Sequence, residues 1–170
     1  MHYARHVGKL GDFLLGNYKS VSEELGLTID GATGVIRGVV DDVPIEMWFG
    51  SHATNTRVRL TNEAPVALHV ATRSLPARLF GRGANLGHPT FDKLFTLDTA
   101  NPGNVAKLLS STTVDLLVEI ARKRLRPVVE KDQIRLRMFS QGGSDSREKI
   151  MNLLRETARL GKTIDACFAR

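Results

Sequence analysis

Between residues 33 and 72 the side chains alternate with a period of two, and no other feature constrains the fold as strongly. Residues 33–40 read Thr-Gly-Val-Ile-Arg-Gly-Val-Val and 43–50 read Val-Pro-Ile-Glu-Met-Trp-Phe-Gly, and 54–61 and 66–72 continue the series. Such a period marks strands whose successive side chains leave on opposite faces. Asp41-Asp42 fits a two-residue hairpin turn, and Asn62-Glu63-Ala64-Pro65 a longer one. Pro44 falls near a strand start, where a missing N–H is tolerated. The expected unit is an antiparallel meander of four strands, with a short strand at 27–30 ahead of it.

The alternation divides the residues into two sets. Ile36, Val40, Ile45, Met47, Phe49, Val58, Leu60, Leu68 and Val70 form the core face, and Arg37, Glu46, Trp48, Arg57, Arg59, His69 and Arg73 form the other. An antiparallel sheet can keep one face wet, so the division is physically coherent.

Helical spacing appears on both sides of this block. Residues 3–25 place Val7, Leu10, Phe13, Leu14, Val21 and Leu25 on one stripe, but Gly8, Gly11 and Gly16 interrupt it, which predicts a broken helix or two short ones, with Ser20 or Ser22 as a cap. Pro102-Gly103 opens a second helical region. Ser110 to Thr113 offer N-caps, and Thr112 with Asp115 resembles a capping box, ahead of Val114, Leu117, Val118 and Ala121. Arg122, Lys123, Arg124 and Arg126 then gather where positive charge suits the helix dipole. Strands are expected at 92–98, 126–130 and 133–139. After Gln141-Gly142-Gly143, Ser144 or Asp145 would cap a helix over 146–168, with the stripe Ile150, Leu153, Leu154, Ala158, Gly161, Ile164 and Phe168. No linker divides the chain. The expectation is a single α+β domain over 1–170: a curved antiparallel sheet of about seven strands, with helices packed on one face.

The stretch His88-Pro89-Thr90-Phe91-Asp92, then Leu94-Phe95-Thr96-Leu97, the Leu108-Leu109 pair, a second amphipathic helix and a basic hairpin resemble a segment of uncharacterised bacterial α+β domains. The Gly34–Gly38 strand upstream is similar to that class too. The resemblance covers roughly residues 30–140. It implies a fold type and a bacterial source, and no chemistry.

The formal net charge is +6, and the excess is uneven. Residues 51–90 hold five basic side chains against one acidic, and 121–170 hold thirteen against six. Such patches attract nucleic acid, acidic headgroups or acidic proteins. No apolar run approaches the roughly 20 residues of a membrane span, and no signal peptide is recognisable after His2, Arg5, His6 and Lys9. One cysteine, Cys167, cannot form an internal disulfide. A cytoplasmic location is expected.

Several motifs invite chemistry. Gly81-Arg82-Gly83-Ala84-Asn85-Leu86-Gly87 superficially suggests a phosphate loop, but an extended segment follows in place of a helix and no Gly-Lys-Ser/Thr is present. The long 74–91 segment containing it is either functional or mobile. His2 and His6 have metal-ligand spacing without further ligands. His88 and Asp92 could join Ser51, Ser74 or Ser110 in a triad, with no nucleophile elbow to support it. Cys167 lies at a helix C-terminus, away from the positive field and base that activate a thiol, and is read as packing.

The basic sheet face is the remaining candidate. Arg57 and Arg59 share one side of their strand, as do Arg135 and Arg137, and Arg73 and Trp48 have the same parity. Arginines beside an aromatic platform could bind single-stranded nucleic acid through phosphates and stacking. An ordinary solvated face and a dimer interface are the competing readings. The first expectation is a bacterial binding or protein-interaction module without catalytic activity or cofactor, whose partner is an unknown protein or a second copy of the chain. The alternatives are a nucleic-acid or anionic-ligand binder using Arg57, Arg59, Arg73, Arg135, Arg137 and Trp48, and an enzyme with its site near the 74–91 loop.

Overall fold

A computed structural model describes residues 7–50, 52–73, 84–139 and 145–169, with the side chains of the first helix described from residue 16 onward. The chain runs α1 (Val7–Leu25), β1 (Thr28–Ile29), β2 (Ile36–Val40), β3 (Val43–Gly50), β4 (Ala53–Arg59), β5 (His69–Thr72), α2 (Pro89–Leu94), β6 (Phe95–Asp98), α3 (Pro102–Leu108), α4 (Ser111–Arg122), β7 (Leu125–Val129), β8 (Gln133–Phe139) and α5 (Arg147–Phe168). All eight strands join one open sheet, antiparallel throughout, in the order β1-β2-β3-β4-β8-β7-β5-β6. The fold is α+β, as the periodicity predicts.

The helices lie on the face that carries Ile36, Ile45, Met47, Val58, Val129, Ile134 and Leu136, all buried. Helix α5 packs on β3, β4 and β8, α4 on β7, α1 against α5, and α2 against α4. Every residue of the expected α5 stripe is buried. Gly161 lets that helix come close: a Cβ there would stand 3.1 Å from Val58 Cγ1. Apart from Ala53, the opposite parity of β2, β3, β4, β7 and β8 is half-buried or exposed.

The hairpin turn forms as expected. Val40 pairs with Val43, and Asp41 and Asp42 take φ of 48° and 64°. Both values are positive, as the mirror-image turn that matches strand twist requires.

The strand order corrects the four-strand meander. β4 is flanked by β8, and β5 lies two strands further on. The cause is the segment after β4. Leu60 N–H donates to Asp132 O and Ala64 N–H to Lys131 O, while Asp165 on α5 accepts from Thr61 N at 2.7 Å and Asn62 N at 2.8 Å. These bonds draw the chain past the β7–β8 turn and leave the edge of β4 to β8. The β5–β7 ladder is brief, ending at Ala71–Val128 beside Pro127, which has no N–H to offer.

Other expectations also change. Helix α1 is continuous, because Tyr18 and Val21 are buried against the core and outweigh the local cost of Gly16. It ends at Gly26, whose φ is +63°. Residues 89–94 are helical where the end of a loop and, from 92, a strand were expected, since His88 Nδ1 accepts from Phe91 N at 3.1 Å as N-cap and Pro89 opens the first turn. Ser110, the first of the candidate caps from Ser110 to Thr113, caps α4, and Ser146 caps α5, one residue beyond Asp145. Phe49, placed in the core by parity, sits at the end of β3 41% exposed, its ring edge-on to Tyr18 at 4.1 Å. His2, His6, Ser51, Ser74, Gly81, Gly83, Gln141 to Gly143 and Ser144 lie outside the described residues.

Candidate functional site: the basic end of the sheet

The register brings the predicted arginines onto one surface. Arg37, Glu46, Arg57 and Arg135 form a row across four strands, continued by Val128 on β7. The next row runs Trp48, Asn55, Arg137 and Arg126. Arg59 lies toward the other end, opposite Gln133.

Sharing a surface does not make these arginines equivalent. Glu46 stands between Arg37 and Arg57 and accepts from both, at 3.2 Å from Arg37 Nε and 3.0 Å from Arg57 Nε. The hydrogen bond from Arg57, then that from Arg37, holds the Glu46 carboxyl below its ordinary pKa. The Arg57 guanidinium also lies over the Trp48 ring at 5.7 Å. Arg135 donates to Glu130 at 2.8 Å, while its buried Nε has no hydrogen-bond partner among the described residues. Arg57, Arg135 and Trp48 are therefore engaged within the fold itself.

Four cations without a carboxylate partner among the described residues gather at the end of the sheet where β7 begins. Beside the first residues of β7 lies a cavity of about 520 Å3, lined by Arg73, Lys123, Arg124, Arg126 and Lys149, by Leu94, Ala121, Leu125, Met138 and Phe139, and by Thr72 and Asn152. It has no carboxylate among these lining residues. Lys123 is held by Glu119 and Glu156. Arg73, Arg124, Arg126 and Lys149 form no ion pair among the described residues.

Local structure explains how these groups are held. Arg73 Nε donates to Phe95 O at 2.7 Å. The Arg126 and Arg137 guanidinium groups lie 4.5 and 4.6 Å from the Phe139 ring. A carbonyl and an aromatic face orient a guanidinium without cancelling its charge. Arg124 follows the end of α4 with φ of +63°, a conformation where glycine is the usual residue. Lys149 lies in the first turn of α5.

Sequence reading found Arg73 and Arg137 but treated Arg124 and Arg126 as partners of a helix dipole, and it passed over Lys149. The available signal was a bulky cation at a helix end where glycine belongs. The other motifs are engaged structurally. Asp92 accepts from Leu86 N at 2.9 Å and Gly87 N at 3.1 Å, and His88 Nε2 lies 3.5 Å from Asp115. The buried Cys167 Sγ lies 3.1 Å from Thr113 Oγ1. Among the described residues no group of three or more His, Cys, Asp or Glu is placed to hold a metal ion.

No family model and no curated protein matches the chain. Its fold is similar to a solved one. The crystal structure of the mycobacterial trehalose monomycolate transport factor A, TtfA, superposes with a TM-score of 0.62 at 11% identity, over 92% of this chain and 95% of that one. At that identity the likeness concerns the fold. Among the described residues, no helix is long and apolar enough to cross a membrane.

Proposed function

We propose that this chain is a binding module with no catalytic step of its own, and that its partner is anionic and engages the basic end of the sheet, where β7 meets α4 and α5. One observation carries the reading: carboxylates neutralise Arg37, Arg57 and Arg135, whereas Arg73, Arg124, Arg126 and Lys149 stand together around one cavity with none among the described residues. Clustering like charges raises the free energy of the folded chain, so a group of them without counter-charges favours a role in binding. The likeness of fold to a protein named as a transport factor is compatible with binding in place of turnover.

The test is fluorescence polarisation of labelled anions, a single-stranded oligonucleotide and a polyglutamate peptide, at low and moderate salt. Calorimetry with small phosphates accompanies it. Binding that weakens with salt and drops in Arg126→Glu supports the reading. Absence of binding to any anion at low salt, where such contacts are strongest, rejects it.

A second reading, a protein-interaction module, is favoured by the other end of the sheet. The two-residue β1 pairs only with Ile36 and Arg37, so the outer edge of Gly38 to Val40 has no strand partner among the described residues, and Val39 is 57% exposed. Such an edge can accept a strand from another chain. A molar mass above that of one chain in light scattering, lost in Val39→Lys, would support it.

A further inference from the structure

Resting on the anionic-partner reading, we propose that the cavity beside β7 takes a small amphiphilic phosphate: a phosphomonoester or pyrophosphate carried on an apolar body. Its volume of about 520 Å3 lies within the usual range for small-ligand pockets of about 300–1,000 Å3, and far exceeds what a bare phosphate would fill. The walls are of two kinds. Arg73, Arg124, Arg126 and Lys149 supply charge, while Leu94, Leu125 and Met138 supply apolar surface. A carboxylate would balance only a fraction of that charge. A phosphate brings up to two charges and three strong acceptors, which forked guanidinium groups match.

Two of the donors are already fixed, Arg73 by the Phe95 carbonyl and Arg126 by the Phe139 ring. Groups held before binding lose less freedom when the ligand arrives. Arg124 points the same way independently. Its left-handed backbone disfavours any side chain bearing a Cβ, yet the residue there is a cation that lines the cavity.

The surrounding surface argues against a polymer. A nucleic-acid backbone follows a continuous basic track. Arg57 and Arg135, which would extend the track across the sheet, are bound to Glu46 and Glu130.

Calorimetry at low salt tests the proposal with dihexanoyl phosphatidate, whose body is acyl, and AMP, whose body is aromatic. Glycerol 3-phosphate and ribose 5-phosphate present the phosphate without an apolar body, and an oligothymidylate presents it as a polymer. At least one of the two amphiphiles should bind about tenfold more tightly than its stripped counterpart, equivalent to about 1.4 kcal/mol, and which one does so identifies the body. Arg124→Gly should weaken that binding about tenfold while its melting temperature stays level or rises, because glycine adopts the local backbone without strain. Lys107→Ala, on exposed α3, should match the parent. Stripped phosphates binding as tightly as the amphiphiles, or undiminished binding by Arg124→Gly, would overturn the proposal. So would binding of oligothymidylate alone, which would leave the broader anionic-partner reading intact. Absence of binding to every anion would overturn both.

Discussion

Arg57 on β4 and Arg135 on β8 stand directly opposite each other in the ladder, and each turns to a carboxylate on its own side, Glu46 for Arg57 and Glu130 for Arg135. Like charges facing across a strand pair destabilise a sheet, so the two glutamates are what make this register acceptable. Glu46→Gln would remove the acceptor shared by Arg37 and Arg57 and leave Arg57 facing Arg135. The expected loss is about 1–2 kcal/mol, read from urea unfolding. Glu46→Gln with Arg57→Gln should recover part of it, since the opposed charge goes as well.

Tyr18 is buried, and its hydroxyl lies 2.7 Å from Thr54 Oγ1 and 2.9 Å from Asp145 Oδ2. Burial, above all, pushes its pKa up from the ordinary tyrosine value. This contact joins α1, β4 and the approach to α5. Tyr18→Phe keeps the ring but leaves buried polar atoms short of a partner. It should destabilise the fold by about 1–2 kcal/mol, with ring packing on Phe49 preserved. Loss of the parent's near-ultraviolet tyrosine signal without any change in the unfolding midpoint would count against this account.

Asp30 organises the turn into β2. It accepts from Ala32 N at 2.9 Å, Thr33 N at 3.3 Å and Arg37 Nη1 at 3.3 Å. Its pKa is lowered from 3.8 to about 2, first by the Thr33 side chain and then by the backbone N–H groups. A depressed carboxylate contributes stability that is present above its ordinary pKa and lost as pH falls through the folded value. The parent should therefore lose stability between about pH 4 and pH 2, and Asp30→Asn should show a shallower decline there. Unfolding midpoints across an acid series check this.

Gly161 and Val58 define how closely α5 approaches the sheet, with 3.1 Å available to a Cβ. Gly161→Ala gains helix propensity but presses on Val58, and a net loss of about 1–2 kcal/mol is expected. In a Val58→Ala background the same change should be neutral or stabilising. A double-mutant cycle should return a coupling on the order of 1 kcal/mol, whereas additive effects would mean the helix simply shifts.

Much of the architecture was legible from alternation, because a strand with one buried face fixes its parity residue by residue. Ile36, Ile45, Met47 and Val58 all lie where the period put them. Strand adjacency was not legible, because it depends on bonds such as those from Thr61 and Asn62 to Asp165, a hundred residues away along the chain and without a local signature. The α2 helix was missed because a histidine cap ahead of a proline is a weaker signal than the apolar run it precedes. The arginines were legible as a set, but their states of charge compensation were not. Arg57 and Arg137 look alike in sequence, and only the neighbouring Glu46 and Phe139 tell them apart.

The β4–β8 seam has a consequence for how the chain reaches this state. It joins Ala53 to Phe139 and Arg59 to Gln133. The hairpins on either side of it close locally, whereas the seam must first bring together segments separated by roughly half of the chain, and that loop entropy is lost before any contact offsets it. Until it forms, β4 is a naked edge with Thr54, Thr56 and Val58 facing an absent helix layer. The rate-limiting event of folding is therefore expected at this seam, and the interval before it closes is when the protein is most exposed to aggregation.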